Sequence, residues 1–397
     1  MVTLEQMRSS NARIPDSLPP GVVAVFAGGT SGIGEATMKQ FAKYAVEPRI
    51  YFIGRSERAA VRITDELVTI NPTGQYHFIQ ADLSLLHNVD EVCYEIKRHE
   101  SLINLLFLTP GTMVTGKETP EHLYYPTAVT YYARIRLIVN LLPLLQKAPS
   151  LRRVVSVFGG TKEGPVMVGD LQGRSLALPS RSSVAPPKGS HSNDNNPDNK
   201  TTSTHLLHLR AHTSSMMTLA LESLALEAPD VSFVHSSPGW VRTHLGREVR
   251  AASAAAAGSL VKVVLSKVVG PMVAVPLAEA GERQLFLATS ARFPPARLGG
   301  RRGSGNSGGS SETGGSTGSG VAGGTEGVGL REGDGVAVAR GSDARIGSGV
   351  YSVNFDGEPQ GVKVQETVRR LREEDLVRRL WLHTVGEFVR VTGTEFV

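Results

Sequence analysis

The clearest chemical signal in the chain is Gly28-Gly29-Thr30-Ser31-Gly32-Ile33-Gly34. It follows the apolar run Val22–Ala27 and leads into Gly34–Tyr44, whose apolar spacing is that of a helix. A glycine turn between strand and helix lets backbone amides close on a phosphate, and the helix N-terminus adds a partial positive charge. The loop reads as a cradle for a dinucleotide pyrophosphate, with Gly28, Ser31, Gly32, Ile33 and Gly34 as its candidate contacts. A second group is "HLLHLRAH", where His205, His208 and His212 are spaced i, i+3 and i+7 and so share one helical face. An imidazole can move a proton at neutral pH, and a neighbouring guanidinium can steady an oxyanion as a fixed cation. His212 and Arg210 are the candidate catalytic pair. Tyr131, Tyr132, Arg134 and Arg136 form a further group, although buried tyrosines more often simply pack. No cysteine or suitably spaced glutamate completes a metal site around the histidines, so no metal is expected.

These residues need a scaffold, and the chain alternates strand and helix patterns. Apolar runs stand at Val22–Ala27, Ile50–Ile53, His77–Ala81, Ile103–Leu108, Val154–Phe158, Val231–His235 and Val350–Phe355. Helical patterns fall at Gly34–Tyr44, Arg58–Ile70, Val89–Glu100, Tyr131–Leu145 and Leu206–Leu226. Such alternation predicts an α/β fold, a Rossmann-type doubly wound parallel sheet in one domain. Two stretches lack periodic apolar positions and are expected to be disordered insertions: Gly173–Thr204, rich in Ser, Pro, Asn and Asp, and the Gly/Ser-rich linker Gly299–Gly349. The second holds 19 of the 43 glycines, so the average composition describes neither it nor the rest. The expected division is an N-terminal arm over residues 1–20, the dinucleotide-binding body over 21–298, the linker, and a closing strand with a C-terminal helix over 350–397.

The glycine spacing, Gly28-x3-Gly32-x-Gly34, resembles the T-G-x-x-x-G-I-G loop of the short-chain dehydrogenase/reductase family. Asp82-Leu83 after the third strand resembles the family's adenine-contacting pair. Ser237-Pro238-Gly239-Trp240-Val241-Arg242-Thr243 after the sixth strand is similar to its P-G-x-V-x-T segment beside the nicotinamide, and "VYSVNFDGE" to its closing strand. The resemblance implies cofactor contacts at Asp82, Leu83, Gly111, Pro238, Gly239 and Thr243. Gly54-Arg55-Ser56 closes the second strand without the carboxylate that would bond ribose hydroxyls, and Arg55 suits a 2′-phosphate, so NADP(H) is expected. The family's Asn-Ser-Tyr-Lys centre is missing. Its positions fall on Thr130, Gly159 (or Ser156, if the register slips), Arg210 and Ser214. The texture of "LRRVVSVFGGTKEG" and "RAHTSSMM" resembles a fungal branch of the family that includes tailoring enzymes of secondary metabolism.

Composition excludes other classes. The chain has 397 residues, 20% charged, 6% aromatic, with a net charge of +5. No Arg/Lys block is interleaved with aromatics, so a nucleic-acid surface is not expected. Cys93 is the one cysteine, which rules out an intrachain disulfide and fits a reducing, cytoplasmic setting. Neither a signal peptide nor a membrane span is expected, the most apolar stretch, Ser259–Leu277, being broken by lysines and prolines. The Ala/Val-rich segment from Trp240 to Pro276 suggests a mobile cover over a bulky apolar small molecule. The expectation is an NADP(H)-dependent oxidoreductase, the family implying a homo-oligomer. The alternative is a non-redox descendant, an isomerase, cyclase or dinucleotide-binding protein.

Overall fold

The computed structural model describes residues 1–177, 197–241, 243, 275–296, 327–331 and 333–397. The strands are β1 (Val23–Ala27), β2 (Arg49–Gly54), β3 (Gln75–Gln80), β4 (Leu105–Leu108), β5 (Arg153–Val157), β6 (Ser232–Ser236) and β7 (Val350–Val353). All neighbours are parallel, and the order is β3-β2-β1-β4-β5-β6-β7. The seven apolar runs of the sequence are the seven strands. The order reverses between β1 and β4, and a crevice opens outside the strand ends at such a switch point.

Side chains alternate across a strand, so each strand feeds two cores. Val23, Val25, Ala27, Leu106, Leu108 and Val154 face one way, onto α5 (Leu86–His99), α6 (Ala133–Lys147) and α7 (Pro197–Glu227). Ala24, Phe26, Leu105, Phe107, Val155 and Val234 face the other, toward α3 (Gly32–Tyr44), α4 (Glu57–Ile70) and α8 (Leu277–Thr289). Both faces being covered is why the central strands read as continuous apolar runs, while the edge strand β3 is exposed or half-buried along its length. Tyr125–Lys147 is apolar enough and long enough to cross a membrane, but its most apolar window is 89% buried inside the fold, as befits a core helix.

Three expectations need revision. Residues 1–20 are docked: α1 (Leu4–Asn11), capped by a reciprocal Thr3–Gln6 box, and α2 (Ile14–Ser17) pack on the body, with Met7 buried and Asn11 donating to Glu282 Oε2 at 2.8 Å. The first insertion ends earlier than expected, because α7 starts at Pro197. In the second, the described residues 327–331 and 333–349 pack on the body: Val328 and Ala339 are buried and Arg292 donates to Ala337 O at 2.6 Å. Segments 178–196 and 297–326, where the remaining linker expectations fall, lie outside the described residues. The chain closes with α9 (Val362–Glu373) and α10 (Leu376–Thr392), the latter against α7 and α5.

Candidate functional site

A cleft of about 480 Å³ lies across the switch point. Its centre is the glycine loop. Gly28 and Gly29 donate their N–H groups to Ile53 O at 3.0 and 3.2 Å, which ties the turn to β2. Gly28 has φ +79° and Gly32 φ +62°, backbone conformations that L side chains rarely adopt. Ser31 precedes α3 without a side-chain capping bond, so the helix's first-turn amides remain available to an anion. Gly28, Ser31, Gly32 and Ile33 line the cleft. Gly34 does not. A Cβ there would stand 2.5 Å from Gly28 O and 2.6 Å from Thr109 Oγ1, so this glycine lets the loop and the helix close-pack instead of touching a phosphate. Thr109, which stands where the family has an asparagine, donates from Oγ1 to Ala27 O at 3.0 Å and locks the end of β4 to β1.

One end of the cleft is formed by Arg55 at the close of β2, with Asp82 and Leu83 after β3. Asp82 Oδ1 accepts from Ser84 N–H at 3.0 Å, and Asn88 donates to its carbonyl, so the Asp-Leu turn is held from both sides. The other end carries Gly111, Thr130, Arg134, Phe158, Pro238 and Thr243. Gly239 is not in the wall: its φ is +73°, and a Cβ there would press on the Phe355 ring at 3.0 Å. Helix α6 enters through a π-turn, Ala128–Tyr132, in which Ala133 N–H reaches back to Ala128 O. Such bulges often mark functional sites. Here it brings Thr130 into the wall while its hydroxyl donates to Pro126 O at 2.7 Å.

The vacant family centre is assembled in space but not in chemistry. A Cβ on Gly159 would collide with the Ser214 hydroxyl and lie 3.6 Å from Arg210 Nε. The three aligned positions therefore do converge. Ser156 belongs to β5 itself, fully buried, and accepts from Arg134 at 2.8 Å, so Gly159 and not Ser156 stands at the serine position.

His212, expected to be an acid–base group, has other work. Its Nδ1 accepts from Met167 N–H at 3.1 Å and its Nε2 donates to Leu171 O at 3.1 Å. It is fully buried, and burial pushes its pKa below the ordinary imidazole value. It staples the loop after β5 and does not line the cleft, whereas His208 is exposed. Of the three histidines on that helix face, only His212 is buried. Tyr131 and Tyr132 likewise point away, pairing at 2.7 Å with Thr384 and His383 of α10. Arg136 holds Asp90 at 2.6 Å. Arg210 is half-buried, and desolvation lowers its pKa.

Two arrangements were not anticipated. Arg134 is buried and its guanidinium reaches four acceptors: Ser156 Oγ (2.8 Å), Val157 O (3.1 Å), Leu108 O (3.2 Å) and Pro110 O. Arg134 stands one turn after Thr130, and that spacing is the one signal in the sequence that puts both in the cleft wall. Behind the wall, Gly159 N–H donates to His235 Nε2 at 3.1 Å, which places the imidazole proton on Nδ1, 2.9 Å from Thr218 Oγ1. Thr218 and Ser352 donate to Glu163 Oε1 at 2.7 and 2.5 Å. Burial alone would raise Glu163, but these bonds and His235 hold it below the usual carboxylate range, while burial keeps His235 neutral. This network fixes the end of β5 against β6 and β7.

No protein-family profile matches the chain. An oxidoreductase of Emericella nidulans is 33% identical over 389 residues, covering 97% of each chain. The oxidoreductase andH of Emericella variicolor is 31% identical over 396 residues, covering 99% of each. A short-chain dehydrogenase/reductase of Stachybotrys chartarum is 34% identical over 182 residues, 42% of this chain and 51% of that one.

Proposed function

The chain belongs to the short-chain dehydrogenase/reductase family, and from that premise we propose that it is an NADP(H)-dependent oxidoreductase that tailors a bulky, apolar small molecule of secondary metabolism. The observation that carries the reading is one continuous cleft with Arg55 at its β2 end, uncapped helix amides at its centre and the buried cation Arg134 at its β4–β5 end. That is the order of groups a 2′-phosphorylated dinucleotide presents. Arg55 would face the 2′-phosphate, the Ser31–Gly32–Ile33 turn the pyrophosphate, and Gly111, Phe158 and Pro238 the nicotinamide. The cofactor, when bound, would supply or accept hydride.

The chain's own contribution at the reacting end is electrostatic. Arg134 is a fixed cation in the wall that would steady an oxygen gaining negative charge, and Arg210, outside the lining and against Gly159, would add to that field. Thr130 holds its hydroxyl oxygen toward the wall with its proton committed to Pro126. With His212 engaged on both nitrogens, the proton would be taken from water admitted to the cleft. An apolar substrate is supported by Val129, Val157 and Phe158 in the wall and by the Ala/Val-rich sequence after Trp240, whose two ends are joined by Val275 N–H donating to Trp240 O at 2.8 Å. Most of that segment, 244–274, lies outside the described residues.

Gly159, Arg210 and Ser214 at the family's catalytic positions favour a second reading, a non-redox isomerase, cyclase or binding protein that keeps the dinucleotide. Titration with NADPH, followed by NADPH loss as product forms, decides between them. Binding with turnover supports the first reading and binding with product but no cofactor loss the second.

A further inference from the structure

The charges of the cleft are unevenly placed. Asp82 is the one carboxylate among the described lining residues, and it stands with Arg55 at the β2–β3 end. At the opposite end stands Arg134, and no carboxylate pairs with it among the described residues: its acceptors are three backbone carbonyls and the Ser156 hydroxyl. Its nearest aromatic partner is the Phe158 ring, 5.6 Å away, itself part of the wall. Burial pushes the guanidinium down to about 9, still above neutral pH, so the cation persists without a counter-ion. The charge of Arg134 is also felt at His235, whose imidazole is held down first by burial, against the raising pull of Glu163, with smaller lowering pushes from Arg134 and Arg210.

With phosphates on the α3 N-terminus and adenosine toward Arg55 and Asp82, the Arg134 end is left for the nicotinamide. That ring is neutral when reduced and carries a positive charge when oxidised. A fixed cation in a desolvated wall interacts with the two forms differently, because like charges in a low-dielectric site repel strongly and are little screened. We propose that Arg134 is the residue by which the cleft selects the reduced dinucleotide, disfavouring the oxidised ring and leaving the reduced ring unpenalised. The inference rests on the NADP(H) reading and gives that reading a direction: the protein is loaded with reductant and releases the oxidised cofactor readily.

Replacing Arg134 takes a donor from three backbone carbonyls and the Ser156 hydroxyl, so two variants and a ring-free probe are needed. Calorimetry would give Kd for NADPH, NADP⁺ and adenosine 2′,5′-bisphosphate with the full chain, Arg134→Met and Arg134→Lys. The wild-type protein is expected to bind NADPH roughly ten-fold or more tighter than NADP⁺, Arg134→Met to bring the two within about three-fold, and Arg134→Lys to keep most of the preference. The bisphosphate, which has no ring, should bind all three alike. Equal wild-type affinities for the two redox forms, or a preference unchanged in Arg134→Met, would overturn the proposal. Should Arg134→Met lose the bisphosphate through misfolding, the wild-type ratio alone decides. Should the wild-type chain bind none of the three probes, the NADP(H) reading falls and this inference with it.

Discussion

Gly159 and Ser214 are in direct contact, so close that a Cβ on the glycine would fall on the serine hydroxyl. Ser214 cannot turn aside freely, because its Oγ donates to Arg210 O at 2.7 Å, one turn back on α7. These are the two positions to which the family resemblance assigns a serine and a lysine. Gly159→Ala should therefore cost roughly 1–3 kcal/mol as an overpacked site. Ser214→Ala should remove most of that penalty, giving a favourable coupling in a double-mutant cycle read from denaturation midpoints. Additive losses would mean that the contact relaxes without strain.

The glycine loop gives a second expectation. Gly34→Ala places a methyl 2.5 Å from Gly28 O, against backbone that cannot move without pulling the loop off β2. It should lower stability by roughly 1–3 kcal/mol and weaken NADPH by ten-fold or more, although Gly34 itself does not line the cleft. A stable Gly34→Ala variant with wild-type NADPH affinity would show that the loop tolerates a wider spacing.

Arg55 tests the cofactor preference. It lies at the open edge of the cleft, and its exchange for Asp replaces a phosphate donor with a ribose acceptor. Arg55→Asp should weaken NADPH by roughly 1.5–3 kcal/mol and strengthen NADH, as measured by calorimetry. An unmoved NADPH/NADH ratio would leave Arg55 with no part in recognition.

Much of this architecture was readable from residue order. The apolar runs became strands because both faces of the central sheet are covered, the edge strand β3 being exposed or half-buried throughout, and the glycine turn could only sit at β1. What escaped was orientation. Arg134 and His212 are both polar residues on apolar helices, and periodicity does not say that one enters the cleft while the other bonds the loop after β5. The network of Glu163, Thr218, His235 and Ser352 joins residues far apart in sequence, with no local pattern to betray it. The docking of residues 327–349 was hidden by glycine content, since Val328, Ala339 and Ser342 are buried between glycine turns.

Buried neutral histidines predict the response to acid. In the folded state His212, His235 and His383 are all pushed below the ordinary imidazole value, by burial in each case. The unfolded chain binds protons at about 6.5, so stability is fully present above that pH and is lost as pH falls through the folded values. Each histidine contributes up to about 1.4 kcal/mol per pH unit across that window. Melting temperature should drop between neutral pH and pH about 5.5, and His212→Gln should flatten the slope. A melting temperature that is level across this range would contradict the assigned protonation states.

The proposed activity is tested most directly by following the hydride. Metabolites extracted from cells lacking this protein would be incubated with the purified chain and NADPH deuterated at the transferable position of its nicotinamide, and the products read by mass spectrometry. The account predicts a product that forms only with the protein, carries the deuterium and appears in step with the loss of NADPH. A protein-dependent product without deuterium, formed while NADPH is unchanged, would contradict it and make the non-redox reading the correct one.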